Sequence, residues 1–159
     1  FIIMSSELRV DKIIPTSGVP ASGGGGIIQI VQNTHNTESS TSSSSYVASG
    51  LTLNITPKFS TSKVLVCFNL PLQSGGHNLR AAVGLHRGGS QIYLAQRESL
   101  FNNSSSNSSE TVSGMFLDSP ATTSAVTYDV RVRVSGGSGT FYWAVSSTVG
   151  TLTAMEVSA

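Results

Sequence analysis

The sequence predicts an all-β sandwich preceded by an extended amino-terminal arm. Three observations carry that prediction. About nine short apolar stretches recur at intervals of roughly ten residues, the rhythm of a sandwich or barrel. Glycine, proline and asparagine punctuate the gaps between them, and no stretch places apolar residues at helical spacing. Composition agrees: of 159 residues 11% are charged, Ser and Thr number 44, and Gly adds 16. That usage excludes a long helix or coiled coil, which needs Ala, Glu, Lys and Leu in quantity.

The elements follow in chain order. Phe1 to Gly26 reads as the arm, with Pro15, Pro20 and the run Gly23 to Gly26 barring a stable helix past its first residues. Yet the arm holds Leu8, Val10, Ile13, Ile14 and Val19, more apolar content than a solvated linker carries. Burying such side chains contributes on the order of 1.5–3 kcal/mol each, so the arm should dock on something: a partner, or its own domain. Residues 27–159 form the single domain. Ile27 to Val31 is a short β-branched strand, and Asn33 to Ser45 reads as a long exposed loop. Leu51, Leu53 and Ile55 alternate with polar residues as in a half-buried strand, which Pro57 ends. Lys63 to Leu72 is apolar at both alternating sets of positions, predicting a central strand covered on both faces. Leu79 to Arg87 and Gln91 to Arg97 flank Gly88-Gly89, a tight hairpin. A second polar loop, Asn102 to Ser109, leads into a strand over Thr111 to Leu117. Val126, Tyr128, Val130, Val132 and Val134 share one face of the clearest strand, with Thr127, Asp129, Arg131 and Arg133 on the other. Thr140 to Val145 should add an inward row of Phe141, Trp143 and Val145, and Thr151 to Val157 is the last strand.

Candidates for chemistry are few. Nine basic against eight acidic residues leave a charge of +1, too little to displace counterions, so no nucleic-acid partner is expected. No apolar run approaches the ~20 residues of a membrane helix, so no membrane partner is expected, and Phe1 to Met4 is too short for a signal-peptide core. Cys67 is the only cysteine, which excludes an intrachain disulfide; within Val64 to Leu70 it reads as a small buried hydrophobe rather than a nucleophile. His35, His77 and His86 lack partners at metal-ligand spacing, so no metal and no other cofactor is expected. Serines are many, but none sits on a strand-to-helix elbow. Asp118, Asp129, Glu98, Glu110 and Glu156 are dispersed and read as solvated charges, leaving no paired carboxylates and no catalytic residue. Gly23 to Gly26 precedes a strand, which makes it a hinge rather than a phosphate cradle. Arg131 and Arg133 read as a solvated face, with pairing across strands or between subunits as the other reading. The two polar loops read as solvated tips; a glycan is the ligand that their hydroxyls and amides would suit.

The stretch SSELRVDKIIPTSGVPASGGGGIIQIVQ resembles the amino-terminal segment of small virion structural proteins of tailed bacteriophages, notably those infecting cyanobacteria. LTLNITPKFSTSKVLVCFNL and GTFYWAVSSTVGTLTAMEV are similar to the same group. The resemblance implies a tumour-necrosis-factor-like jelly roll that assembles as a homotrimer, located in the virion and without enzymatic activity. Tyr142 and Met155, on the carboxyl-terminal strands, are the candidates for the trimer interface. A fibre needs a shaft, and no coiled coil, collagen-like repeat or β-helix is present. Twenty-six extended residues span about 90 Å at most, a length that suits pegging a head to a shell. The expectation is therefore a capsid decoration (cement) protein whose arm anchors on the major capsid protein or another virion protein. The alternative is a tail-fibre or adhesin head that binds a host surface glycan.

Overall fold

A computed structural model describes residues 26–75, 78–99 and 107–158. Ten strands run through them: β1 (Ile27–His35), β2 (Ser39–Thr41), β3 (Val47–Ile55), β4 (Lys63–Ser74) and β5 (Arg80–Arg87) in the first half. β6 (Ser90–Ser99), β7 (Ser108–Asp118), β8 (Val126–Gly136), β9 (Phe141–Trp143) and β10 (Gly150–Val157) follow, with one 3-10 turn at Val145–Ser147.

The strands make two antiparallel sheets. The larger has the order β1-β10-β4-β9-β2 with β7 paired to β4, and the smaller has the order β3-β8-β5-β6. Four nested pairs organise the chain: β1 with β10, β3 with β8, β4 with β7 and β5 with β6. A long hairpin folded about its midpoint and rolled into two sheets is a jelly roll. The midpoint is the Arg87–Ser90 turn, where Gly88 (φ 55°) and Gly89 (φ 87°) both adopt the left-handed backbone of the tightest hairpin connection.

Strand alternation builds the core. Leu51, Leu53 and Ile55 of β3, Val64, Val66, Phe68, Leu70 and Leu72 of β4, and Tyr128, Val130, Val132 and Val134 of β8 are buried between the sheets. The central β4 is fully covered on that face only. Its other face, Leu65, Cys67, Asn69, Pro71 and Gln73, stays half-open, which corrects the expectation of cover on both sides and moves Cys67 out of the core.

Three further expectations change. The stretch 33–45 is not one exposed loop: β1 continues to His35 and β2 pairs with β9 through Ser39–Trp143 to Thr41–Phe141. β7 starts at Ser108, within the second polar loop, whose residues 102–106 lie outside the described ones. Val145 does not extend the inward row of Phe141 and Trp143, because Ala144 turns left-handed (φ 55°) and breaks the strand. Ser146 (φ 54°) and Ser147 (φ 61°) are left-handed as well. For residues with a Cβ that backbone costs about 1–2 kcal/mol each; Ala144 is buried in the core, whereas Ser146 and Ser147 are exposed and have no burial to offset it. The start of the turn is nonetheless fixed: Trp143 Nε1 donates to the Ser49 carbonyl at 2.7 Å, and the Ala144 amide donates to the Pro71 carbonyl at 3.4 Å.

Gly137 closes the β8–β9 turn with φ 77°, and a Cβ there would stand 2.0 Å from the Asn78 carbonyl oxygen. Gly137→Ala should therefore lower unfolding free energy by about 2 kcal/mol, from left-handed strain plus displacement of backbone. Urea denaturation of the two proteins measures it; an unchanged midpoint would contradict the close approach.

Candidate functional site

The outward face of the larger sheet is built by register. Ile30, Met155, Leu65 and Leu117 lie side by side across β1, β10, β4 and β7. The next row is Gln32, Thr153, Cys67 and Met115, and the third is Thr34, Thr151, Asn69 and Ser113. A β-bulge between Ile27 and Gln29 sets both Ile27 and Ile30 outward; unbroken alternation would put them on opposite faces. Ile27 is 58% exposed, Ile30 59%, Met115 66% and Leu117 50%, four of the seven large exposed hydrophobic residues among those described. The three rows hold no charged side chain. Lys63 stands at their margin beside Val157, with its ammonium on Ser119 Oγ at 3.1 Å. Burial pushes the Cys67 thiol pKa up, which suits a packing group and not a nucleophile.

Of the two interface candidates, Met155 stands in the middle of the apolar row. Tyr142 shares the face but pairs with Gln73, eight residues further along β4, or about 26 Å from the Leu65 that Met155 faces. The structure thus places the two residues on one surface without bringing them together. Leu8, Val10, Ile13, Ile14 and Val19 of the arm, with His77, lie outside the described residues. Ile30, Leu65, Met115 and Leu117 are absent from the sequence-based candidates. Their signal was the two-faced apolar character of β4: its second face has no cover within this chain's described residues.

The outward face of the smaller sheet is polar and tied down. Arg131 Nε donates to Asp129, and Arg133 lies 5.1 Å over the Tyr46 ring and donates to the Ser44 carbonyl at 3.4 Å. Tyr46 meets the buried His86 edge-on at 4.9 Å. These contacts fasten the segment between β2 and β3 to the sheet, so Arg131 and Arg133 pair within the subunit instead of forming a solvated face. Desolvation lowers the His86 pKa; its Nδ1 faces the Gly84 carbonyl at 3.3 Å and Asp129 opposes the shift, as Arg131 reinforces it.

Three of the five dispersed carboxylates are buried, contrary to expectation: Asp118, Asp129 and Glu156. Asp118 accepts from Arg87 Nη1 at 2.9 and 2.8 Å and from the Tyr128 hydroxyl at 2.6 Å. Glu156 accepts from the Lys58 and Phe59 amides at 2.7 and 3.3 Å and from Gln29 Nε2 at 2.5 Å. Both serve structure. No three His, Cys, Asp or Glu side chains gather as a metal site among the described residues.

What the fold and this site define is a jelly roll whose distinctive surface is an apolar, uncharged sheet face. No family model matches the chain, and no curated protein matches it. Among solved structures it is similar to the infectious bursal disease virus VP2 subviral particle, at 10% identity and a TM-score of 0.44 over 94% of this chain and 43% of that one. It is similar as well to the T=1 particles derived from the same virus, at 10% identity and 0.47 over 96% and 41%. The chain spans about two fifths of the length of those proteins. Such distant likeness leaves the architecture resting on this chain's own strand order.

Proposed function

We propose that this protein is a non-enzymatic structural component of a virion, a homotrimeric capsid decoration protein fastened to the capsid by residues 1–26. The observation that carries the reading is the apolar band of Ile30, Met155, Leu65, Leu117 and Met115 on an uncharged sheet face. Exposed apolar surface of that continuity marks an interaction site, and three copies converging on a threefold axis cover it by heterologous contacts, one part of the face against another part of the neighbour's. The band begins beside Gly26, whose amide and carbonyl are bonded to Ser158. Arm and interface therefore adjoin, so that assembling the heads brings three anchors together and multiplies weak attachment.

Two experiments test this. Leu117→Lys and Met155→Glu should each convert a trimer to a monomer in sedimentation while leaving the β-sheet signal in circular dichroism intact; a monomeric starting protein, or a variant that stays trimeric, contradicts the interface. Deleting residues 1–26 should leave a folded trimer that no longer binds purified particles. Normal decoration by that truncated protein would overturn the anchoring role.

A further inference from the structure

A cavity of about 390 Å³ opens on the same sheet face, at its polar end. Its floor is Gln73 of β4 with Ser109, Glu110 and Thr111 of β7, and its wall is the 3-10 turn with Ser146 and Thr148. Thr111, on its floor, lies four residues of β7 from Met115, about 13 Å, with the polar row of Asn69 and Ser113 between, so the cavity is separate from the apolar band.

The wall asks for an explanation that folding does not supply. Of the five non-glycine residues with positive φ among those described, Ala144, Ser146 and Ser147 fall within four positions. Strain of this kind persists where the surroundings over-determine it and tends to mark binding sites. Ala144 is buried in the core, but Ser146 and Ser147 are exposed, so packing does not compensate those two. What the strain does achieve is to hold Val145, Ser146 and Thr148 against the β4–β7 floor, making a concave site where a flat sheet would otherwise lie.

We infer that this cavity binds a small neutral saccharide, on the geometry of its amide and hydroxyl lining. The side chains of Gln73, Ser109, Thr111, Ser146 and Thr148 are uncharged and both donate and accept, as a polyol does. Among the described residues no basic side chain lines the cavity, so an anionic sugar gains no counter-charge there. Pro71 and Val145 offer apolar surface to the C–H face of a ring. No aromatic side chain lines the cavity, so each site is weak, and three copies in an assembly would bind through avidity.

The test is saturation-transfer and amide-shift NMR on the full chain, with glucose, galactose, N-acetylglucosamine and glucuronate as probes at millimolar concentration. At least one neutral sugar should shift the amides of Gln73, Thr111 and Thr148, and glucuronate should not. Thr111→Val removes a hydroxyl at nearly constant volume and should weaken binding about tenfold. Ser146→Gly relieves the left-handed strain and should raise the thermal midpoint while weakening the same sugar, which no purely structural role of the turn would do. Absence of shifts with every neutral probe, preference for glucuronate, or full affinity in both variants would overturn the inference. None of these outcomes depends on the oligomeric state, so a failure here is distinguishable from failure of the assembly reading.

Discussion

Asp118→Ala should cost about 3 kcal/mol of unfolding free energy, the low end for breaking a buried ion pair because Arg87 is 37% exposed and regains water. Asp118 ends β7 in the larger sheet; Arg87 and Tyr128 belong to β5 and β8 in the smaller one. The carboxylate therefore crosses the sandwich. Its loss strands the Tyr128 hydroxyl, on a wholly buried residue, without its 2.6 Å acceptor. That hydroxyl is held protonated: burial, then the bond to Asp118, raises its pKa far above the ordinary phenol. Tyr128→Phe removes the same hydrogen bond but leaves Arg87 and Asp118 paired, and should cost only about 1 kcal/mol. Urea denaturation of both variants checks the order; equal losses would mean that the Arg87–Asp118 pair contributes nothing.

Glu156→Ala is expected to cost about as much, roughly 3 kcal/mol, since it leaves the Lys58 and Phe59 amides and Gln29 without their shared acceptor. It also carries a pH signature. Burial alone would push the Glu156 pKa up, but donors from Gln29, Lys58 and Phe59 outweigh it and hold it below the ordinary 4.5. A carboxyl whose folded pKa is depressed contributes stability that is complete above its unfolded pKa and lost as pH falls through the folded one. Wild-type protein should therefore lose stability below about pH 4.5, and Glu156→Gln should lose less over the same interval. Parallel curves for the two proteins would show that Glu156 is not the group responsible.

How much of this was legible in the sequence depends on the range of the interactions. Strict alternation in β3, β8 and β10 predicts which side chains face inward, because period two is a local property. The same rule places Glu156 with Leu152 and Ala154, both buried, so its burial was readable; the presumption that a lone carboxylate is solvated hid it. β2 and β9 were harder. They are three residues long, and what orders them is non-local: the Trp143 indole on Ser49 and the Ser43 carbonyl accepting from the Val134 amide. The apolar band came through in part. Two-sided apolarity in β4 announced an apolar outer face, yet only register, through the bulge at Ile27 to Gln29, shows which residues of β1 and β7 complete it.

The nesting of the strands also sets a timetable for synthesis. β1 pairs only with β10, and Gly26 bonds to Ser158, 132 residues later. At about 5–20 residues per second the ribosome takes on the order of ten seconds to supply that partner, and all the while Ile27 to Val31 waits as an unpaired, apolar strand. The nascent chain is therefore exposed to wrong association in β1, and chaperone binding to that strand should persist until β10 has left the exit tunnel.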